Sequence, residues 1–141
     1  CAAGYLMLKR VDNLNQLRIK RAKKIIQDLN LYKEIKFFSE FKKKRHVYHL
    51  ISAHVESKQF DRNDLIELLF KKFKIKCVVQ YYPLYMYPLF KKMGFRKNNC
   101  PNTDIFYKNM ISFPFHIWMS NKEFLQMIKS IKKAVNILRK N

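Results

Sequence analysis

The sequence predicts an α/β (α+β) architecture: one long N-terminal helix, then strands and helices in alternation to the end of the chain. Three observations carry this. Met7, Val11, Leu14, Leu17, Ala22, Ile25 and Leu29 recur at three- to five-residue steps, averaging close to a helical turn. Two β-branched and aromatic runs, residues 47–55 and 74–82, read as strands. Helix-start signals stand at Asp61 and at Ser120, each followed by apolar residues at helical spacing.

Taken in order, the first helix spans about residues 4–29, with Lys9, Arg10, Arg18, Lys20 and Lys24 mainly on its other faces. Residues 31–45 mix aromatics with the cluster Lys42-Lys43-Lys44-Arg45 and read as a connector with a short helical or extended piece. The first strand, Val47-Tyr48-His49-Leu50-Ile51-Ser52-Ala53-His54-Val55, ends in a polar turn over residues 56–59. Asp61 caps the next helix, and Asp64 suits the positive end of its dipole. Leu65, Leu68, Leu69 and Phe73 form its buried stripe, with Lys71 and Lys72 in its last turn. The second strand, 74–82, runs into a tyrosine-rich loop. A short helix then ends at Gly94, a left-handed cap. Another helix runs from Asn102 or Thr103 to about Met110, and residues 111–115 form a closing strand. In Ser120-Asn121-Lys122-Glu123, a capping box opens the last helix, which carries Phe124, Ile128, Ile131, Val135 and Leu138.

Composition narrows the function classes. With 48% apolar and 28% charged residues in 141, the chain reads as folded and able to bury a modest core. Its two glycines, Gly4 and Gly94, exclude a Walker loop or a Gly-x-Gly-x-x-Gly turn. Cys1, Cys77 and Cys100 form no Cys-x-x-Cys pattern, which argues against a disulfide framework or zinc site and for a reducing cytoplasm. No apolar run approaches a membrane span. The histidine spacings 46/49 and 49/54 do not bring two imidazoles together on one strand face, so no metal site is expected. The net charge of +20 has two readings. One is an anionic partner. The other is a base-composition bias toward Lys, Asn, Ile, Phe and Tyr, favoured by the scatter of basic residues over helix faces.

The stretch most informative about function is Gln80-Tyr81-Tyr82-Pro83-Leu84-Tyr85-Met86-Tyr87-Pro88. Proline fixes its own φ and biases its predecessor away from helix, so Tyr81, Tyr82 and Tyr85 have little backbone freedom. Rigid aromatic loops with hydroxyl tips serve either as site walls or as caps on the edge of a core.

These residues also carry a resemblance. The stretch resembles the His-Tyr-Pro-Pro-Leu-His…Pro-Tyr signature of the DegT/StrS family of pyridoxal-phosphate-dependent sugar aminotransferases. Tyr81, Pro83, Leu84 and Pro88 match, Gln80 and Tyr85 stand where the family has its two histidines, and Phe90 replaces the final tyrosine. Gly4, Leu8 and Asp12 resemble positions of the family helix Gln-Ala-Ala-x-Gly-x-x-Gln-Leu-x-x-Leu-Asp, with Met7 in place of a glutamine. Tyr48-His49-Leu50 resembles the family's aromatic-His-Leu strand, Phe90 to Phe95 its Tyr-x-x-x-Gly-Tyr, and Ile111-Ser112-Phe113-Pro114-Phe115 its Leu-Ser-Leu-Pro-Leu strand.

The resemblance implies the small C-terminal domain of a fold type I pyridoxal-phosphate transferase. Residues 1–30 are then a linking helix, and residues 46–141 a small, mostly antiparallel sheet covered by helices. It implies a fragment, with the large cofactor-binding domain absent. The parent reaction would transfer an amino group from an amino-acid donor to a keto sugar, nucleotide-linked, in polysaccharide or related sugar biosynthesis, by a cytoplasmic homodimer. Gln80, Tyr81, Tyr85 and His49 are the expected substrate-facing residues, His49 being either a packed sheet histidine or one reaching the site edge. Transamination needs a Schiff-base lysine and an acidic partner for the pyridine nitrogen. No lysine here has the family's Ser-Phe context, so pyridoxal 5'-phosphate would be held mainly by the missing domain and the fragment alone would be inactive. No catalytic set emerges among the four histidines and ten carboxylates. The alternative from another class is a stand-alone basic α/β module binding nucleic acid, resting on charge and tyrosines only.

Overall fold

A computed structural model describes residues 1–38, 44–95 and 100–140. The expected connector at 31–45 and its lysine cluster therefore lie partly outside the described residues, Lys42 and Lys43 among them. The elements in order are α1 (Ala2–Leu29), β1 (Ile35–Phe37), β2 (Ile51–Val55), α2 (Arg62–Phe73), α3 (Pro88–Lys92), α4 (Pro101–Asn109), β3 (Met110–Phe113) and α5 (Asn121–Leu138). The three strands form one antiparallel sheet in the order β1-β2-β3. Among the described residues no helix is long and apolar enough to cross a membrane.

One sheet face makes the core. Ile51, Ala53 and Val55 of β2 alternate inward, and Ile111 and Phe113 of β3 sit opposite Ala53 and Ile51 in register. Against them pack Phe124, Ile128, Ile131 and Val135 of α5, Leu65 and Leu69 of α2, and Ala22, Ile25 and Leu29 of α1. The apolar stripe of α1 is thus buried only from Ala22 onward. Met7, Val11 and Leu17, also expected inside, are exposed.

Side chains fix the helix ends. Asp61 accepts from the Asn63 and Asp64 amides while the Asp64 carboxylate accepts from the Asp61 amide, a reciprocal capping box. Ser120 and Glu123 repeat the arrangement at α5. After α3, the Phe95 amide donates to the Phe90 carbonyl and the Gly94 amide to the Lys91 carbonyl, with Gly94 at φ 87°. This is a Schellman motif, completed by contact of the Phe90 and Phe95 rings at 5.8 Å. α2 ends with Lys74 at φ 56°, a left-handed position held by a non-glycine residue.

Ion pairs lock α1 to α5. Asp28 accepts from Lys132 at 2.7 Å and Lys24 at 2.8 Å, and Glu34, just beyond α1, takes Arg139 through both oxygens at 2.6 and 2.7 Å. Hydrogen bonds from these cations hold both carboxyls below their usual range. Arg21 of α1 donates to the His116 and Met119 carbonyls and stacks over Phe124.

The connector carries a short extended piece, one of the two forms expected of it: the three-residue strand β1. Two strand expectations require correction. The strand expected over 47–55 begins only at Ile51. His46 Nδ1 accepts the Tyr48 amide and Tyr48 turns to φ 50°, which breaks the extended chain and buries the Tyr48 ring. His49 is therefore exposed in the bend before β2 and is not a packed sheet histidine. The strand expected over 74–82 is reduced to one pair, Val78 with Ser112, which exchange bonds of 3.2 and 2.8 Å. Neither neighbouring pair can form. Toward Lys76 the partner would be Pro114, which has no amide. Toward Gln80 it would be Met110, whose amide caps α4 on Phe106 and whose carbonyl accepts from Arg62.

Three outcomes are expected in urea unfolding of the chain. Ile131→Ala, a fully buried site, should cost about 2–5 kcal/mol. Lys74→Gly should stabilise by roughly 1 kcal/mol, because glycine removes the left-handed penalty. Because Asp28 and Glu34 are held low, their contribution is complete above about pH 4.5 and drains as pH falls through their depressed folded values. Stability measured from pH 6 to 3 should fall, and Asp28→Asn with Glu34→Gln should flatten that slope.

Candidate functional site

The tyrosine loop leaves the sheet at Val78 and is pinned at each step. The Gln80 amide points at Met110 Sδ, 3.4 Å away. The peptide between Gln80 and Tyr81 is cis. Pro83 is buried and opens a 3-10 turn over Leu84–Met86, closed by the Met86 amide on the Pro83 carbonyl at 2.9 Å. Pro88 then occupies the first position of α3, where a missing amide costs nothing.

Aromatic edge-to-face contacts prop the loop from below. Tyr82 meets Tyr87 at 4.9 Å and Tyr107 of α4 at 5.4 Å between centroids. The Arg62 guanidinium sits 5.4 Å over the Tyr107 ring and donates to the Tyr107 and Met110 carbonyls at 2.8 and 3.2 Å. A buried arginine at the end of α4 satisfies carbonyls the helix leaves open and matches the negative end of its dipole. Arg62 lies on the 62-65-69 stripe of α2, so its inward position was visible in the spacing.

The expected site residues separate into two groups. Gln80, Tyr81 and Tyr85 share the loop. Tyr81 is 75% exposed, and its hydroxyl accepts a 3.4 Å bond from Gln80 Nε2. Gln80 Oε1 is buried without a partner among the described residues. Tyr85 is half-buried and its hydroxyl donates to Asp104 Oδ1, a bond that pushes the phenol up to about 12. His49 instead lines a cavity of about 420 Å³ with Ile26, Phe37, Phe38, His46 and Phe106, to which the tyrosine loop contributes no described residue.

Asp104 was missed by sequence reasoning. It lies nineteen residues from Tyr85 in the first turn of another helix, and no local signal connects the two. His54, not His49, is the sheet histidine. Its ring meets Phe38 and Phe106 edge-on, and its Nε2 is buried without a partner among the described residues.

The described residues do not fit the anchor that pyridoxal phosphate requires. A Schiff-base lysine is desolvated or set beside another cation. Every described lysine is exposed except Lys132, which is half-buried and paired with Asp28. Burial pushes the Cys77 thiol up to about 12, which removes it as a nucleophile. Among the described residues no group of three or more His, Cys, Asp or Glu can hold a metal ion. Among the described residues, the loop offers hydroxyl and amide groups for hydrogen bonding, and no lysine stands as a desolvated anchor.

Comparison with known proteins gives the same architecture. Spr1654 of Streptococcus pneumoniae, assigned as a sugar aminotransferase and solved in its PMP and PLP forms, superposes over 97% of this chain and 35% of its own, at 25% identity and a TM-score of 0.84 for the PMP form. The chain thus corresponds to a C-terminal domain of that fold. SpsC of Bacillus subtilis, a spore coat polysaccharide biosynthesis protein, is 27% identical over 94 residues, 64% of this chain and 24% of SpsC. The uncharacterized protein MJ1066 of Methanocaldococcus jannaschii is 28% identical over 95 residues, 65% of this chain and 24% of MJ1066. The chain thus spans about a quarter of the length of the curated relatives it matches. The profile of one family of pyridoxal-phosphate enzymes matches residues 1–132, and with nearly the whole length covered, the chain belongs to the DegT/DnrJ/EryC1/StrS aminotransferase family.

Proposed function

We propose that the chain is the substrate-closing, C-terminal part of an aminotransferase that moves an amino group from an amino-acid donor to a nucleotide-linked keto sugar. One observation carries this: a tyrosine loop that carries Gln80, Tyr81 and Tyr85, leaves Tyr81 largely exposed and is braced by Tyr82, Tyr107 and Arg62. A rigid aromatic with its hydroxyl outward lies flat on an apolar sugar face and still bonds the sugar's hydroxyls. The chain's own role is binding, orientation and exclusion of water. Pyridoxal phosphate supplies the electron sink when bound, and in this reading it is held mainly by residues beyond this chain. His49, exposed and on a separate cavity, serves at most the edge of the site.

The same reading makes α1 the linking helix. Its N-terminal half exposes Tyr5, Leu6, Met7 and Leu8, each more than half accessible. Such a run of large apolar groups fits a face covered by the remainder of the polypeptide, within a homodimer.

Steady-state kinetics of the complete protein test the proposal. Tyr81→Ala should raise KM for a nucleotide-linked keto sugar about tenfold, the equivalent of one lost contact, and leave the half-reaction with the amino-acid donor unchanged. Equal loss in both half-reactions would assign the loop to the cofactor instead. Amino transfer catalysed by the 141-residue chain alone would overturn the assignment of the cofactor anchor to residues outside it.

A further inference from the structure

Tyr81 and Tyr85 lie four residues apart on one loop, yet their hydroxyls are wired in opposite senses. A phenol has one proton to give and lone pairs that accept, whereas an ionised carboxylate only accepts. The bond between Tyr85 and Asp104 therefore has one possible direction, from phenol to carboxylate. Tyr81 is the reverse: its oxygen accepts from the Gln80 amide, which leaves its proton for another partner.

Both ends of the Tyr85–Asp104 contact are fixed. Asp104 stands in the first turn of α4, where the helix dipole favours the ionised carboxyl. Pro101 sets the start of that helix, the Asp104 amide bonds the Cys100 carbonyl at 3.1 Å, and Arg62 clamps the far end. Tyr85 is centred in a 3-10 turn closed by two backbone bonds of 2.9 and 3.1 Å. The phenol therefore stays pointed at Asp104 without help from a ligand.

We propose that Tyr85 meets the sugar only as a hydrogen-bond acceptor, with Asp104 as the positioning residue that accepts the phenol's own hydrogen bond, so that the substrate must carry a free hydroxyl at the carbon facing Tyr85. This deepens the sugar-aminotransferase reading and rests on it. The raised ionisation of Tyr85 agrees: the phenol keeps its proton throughout the neutral range and does not act as a base. Tyr81 and Tyr85 then form a two-part code, the first asking the sugar for an acceptor and the second for a donor.

Two measurements test this. In the chain as it stands, phenolate absorbance against pH should show a late step from Tyr85, near 12 rather than 10.0. Tyr85→Phe should delete that step, and Asp104→Asn should return it toward the ordinary value. A wild-type titration without a late step, or one that Asp104→Asn leaves in place, overturns the positioning role. In the complete holoenzyme, the probes are UDP- and dTDP-linked hexoses with their monodeoxy and monodeoxyfluoro analogues, read as inhibitors of amino transfer. At one ring position both replacements should weaken binding about tenfold, since fluorine accepts but cannot donate. Tyr85→Phe should level that difference. Asp104→Asn should shrink it for the fluoro compound, because the asparagine amide can donate to the phenol and turn its proton outward. Fluoro analogues that bind as well as the parent at every position would overturn the acceptor assignment while leaving the enzyme reading intact. Failure of the entire series to inhibit would instead overturn the sugar reading, and this inference with it.

Discussion

β3 is the constraint on which the rest depends. Its four residues are buried on both faces, and it is paired with β2 along one edge and with Val78 on the other. Ile111 and Phe113 face the helices. Met110 and Ser112 face away, where Ser112 Oγ bonds Ser52 Oγ at 2.9 Å. Met110 alone accepts Arg62 on its carbonyl and Gln80 on its sulfur, and its amide donates to the Phe106 carbonyl to cap α4. A strand so short supports a long loop because its polar groups are already satisfied from every direction.

The site inherits its order from that arrangement. Because Pro114 and the end of α4 close the ladder on either side of Val78, the chain is released from the sheet just before Gln80. The released segment cannot be a strand and need not be disordered. Two prolines, a 3-10 turn and a row of edge-to-face rings give it shape without a hydrogen-bonded ladder. Binding residues on a loop thereby gain the fixity usually found on regular elements.

Much of this was legible. The cap at Asp61, the capping box at Ser120, the left-handed glycine after α3 and the inward faces of α2 and α5 are local patterns, and each stands where the sequence puts it. The antiparallel sheet and the family followed from segments that keep their spacing, above all Tyr81 to Pro88. What was not legible depends on residues far apart. Nothing near Lys74 to Tyr82 announces that its would-be partners are a proline and a helix cap, the cap 30 positions on and the proline farther. Likewise, the turn at Tyr48 rests on a histidine side chain that competes with the backbone, and β-propensity does not register such competition. The Tyr85–Asp104 bond joins separate elements and can be seen only once both are placed.

The carboxylates show an asymmetry with an evolutionary reach. Of the ten in the sequence, Glu40 lies outside the described residues. Each of the other nine is held: Asp12, Asp28, Glu34, Glu56 and Glu67 by cations, Asp61, Asp64 and Glu123 in caps, and Asp104 by Tyr85. Lysines and arginines number thirty, three for every acid. Substituting Asp28, Glu34 or one of the capping acids removes a clasp or a cap, whereas a surface lysine or an exposed pair such as Asp12 with Arg45 can be gained or lost with small effect on stability. A gene drifting in base composition would accordingly accumulate positive charge one tolerated step at a time, while the acids that cap helices or clasp α1 to α5 stay put.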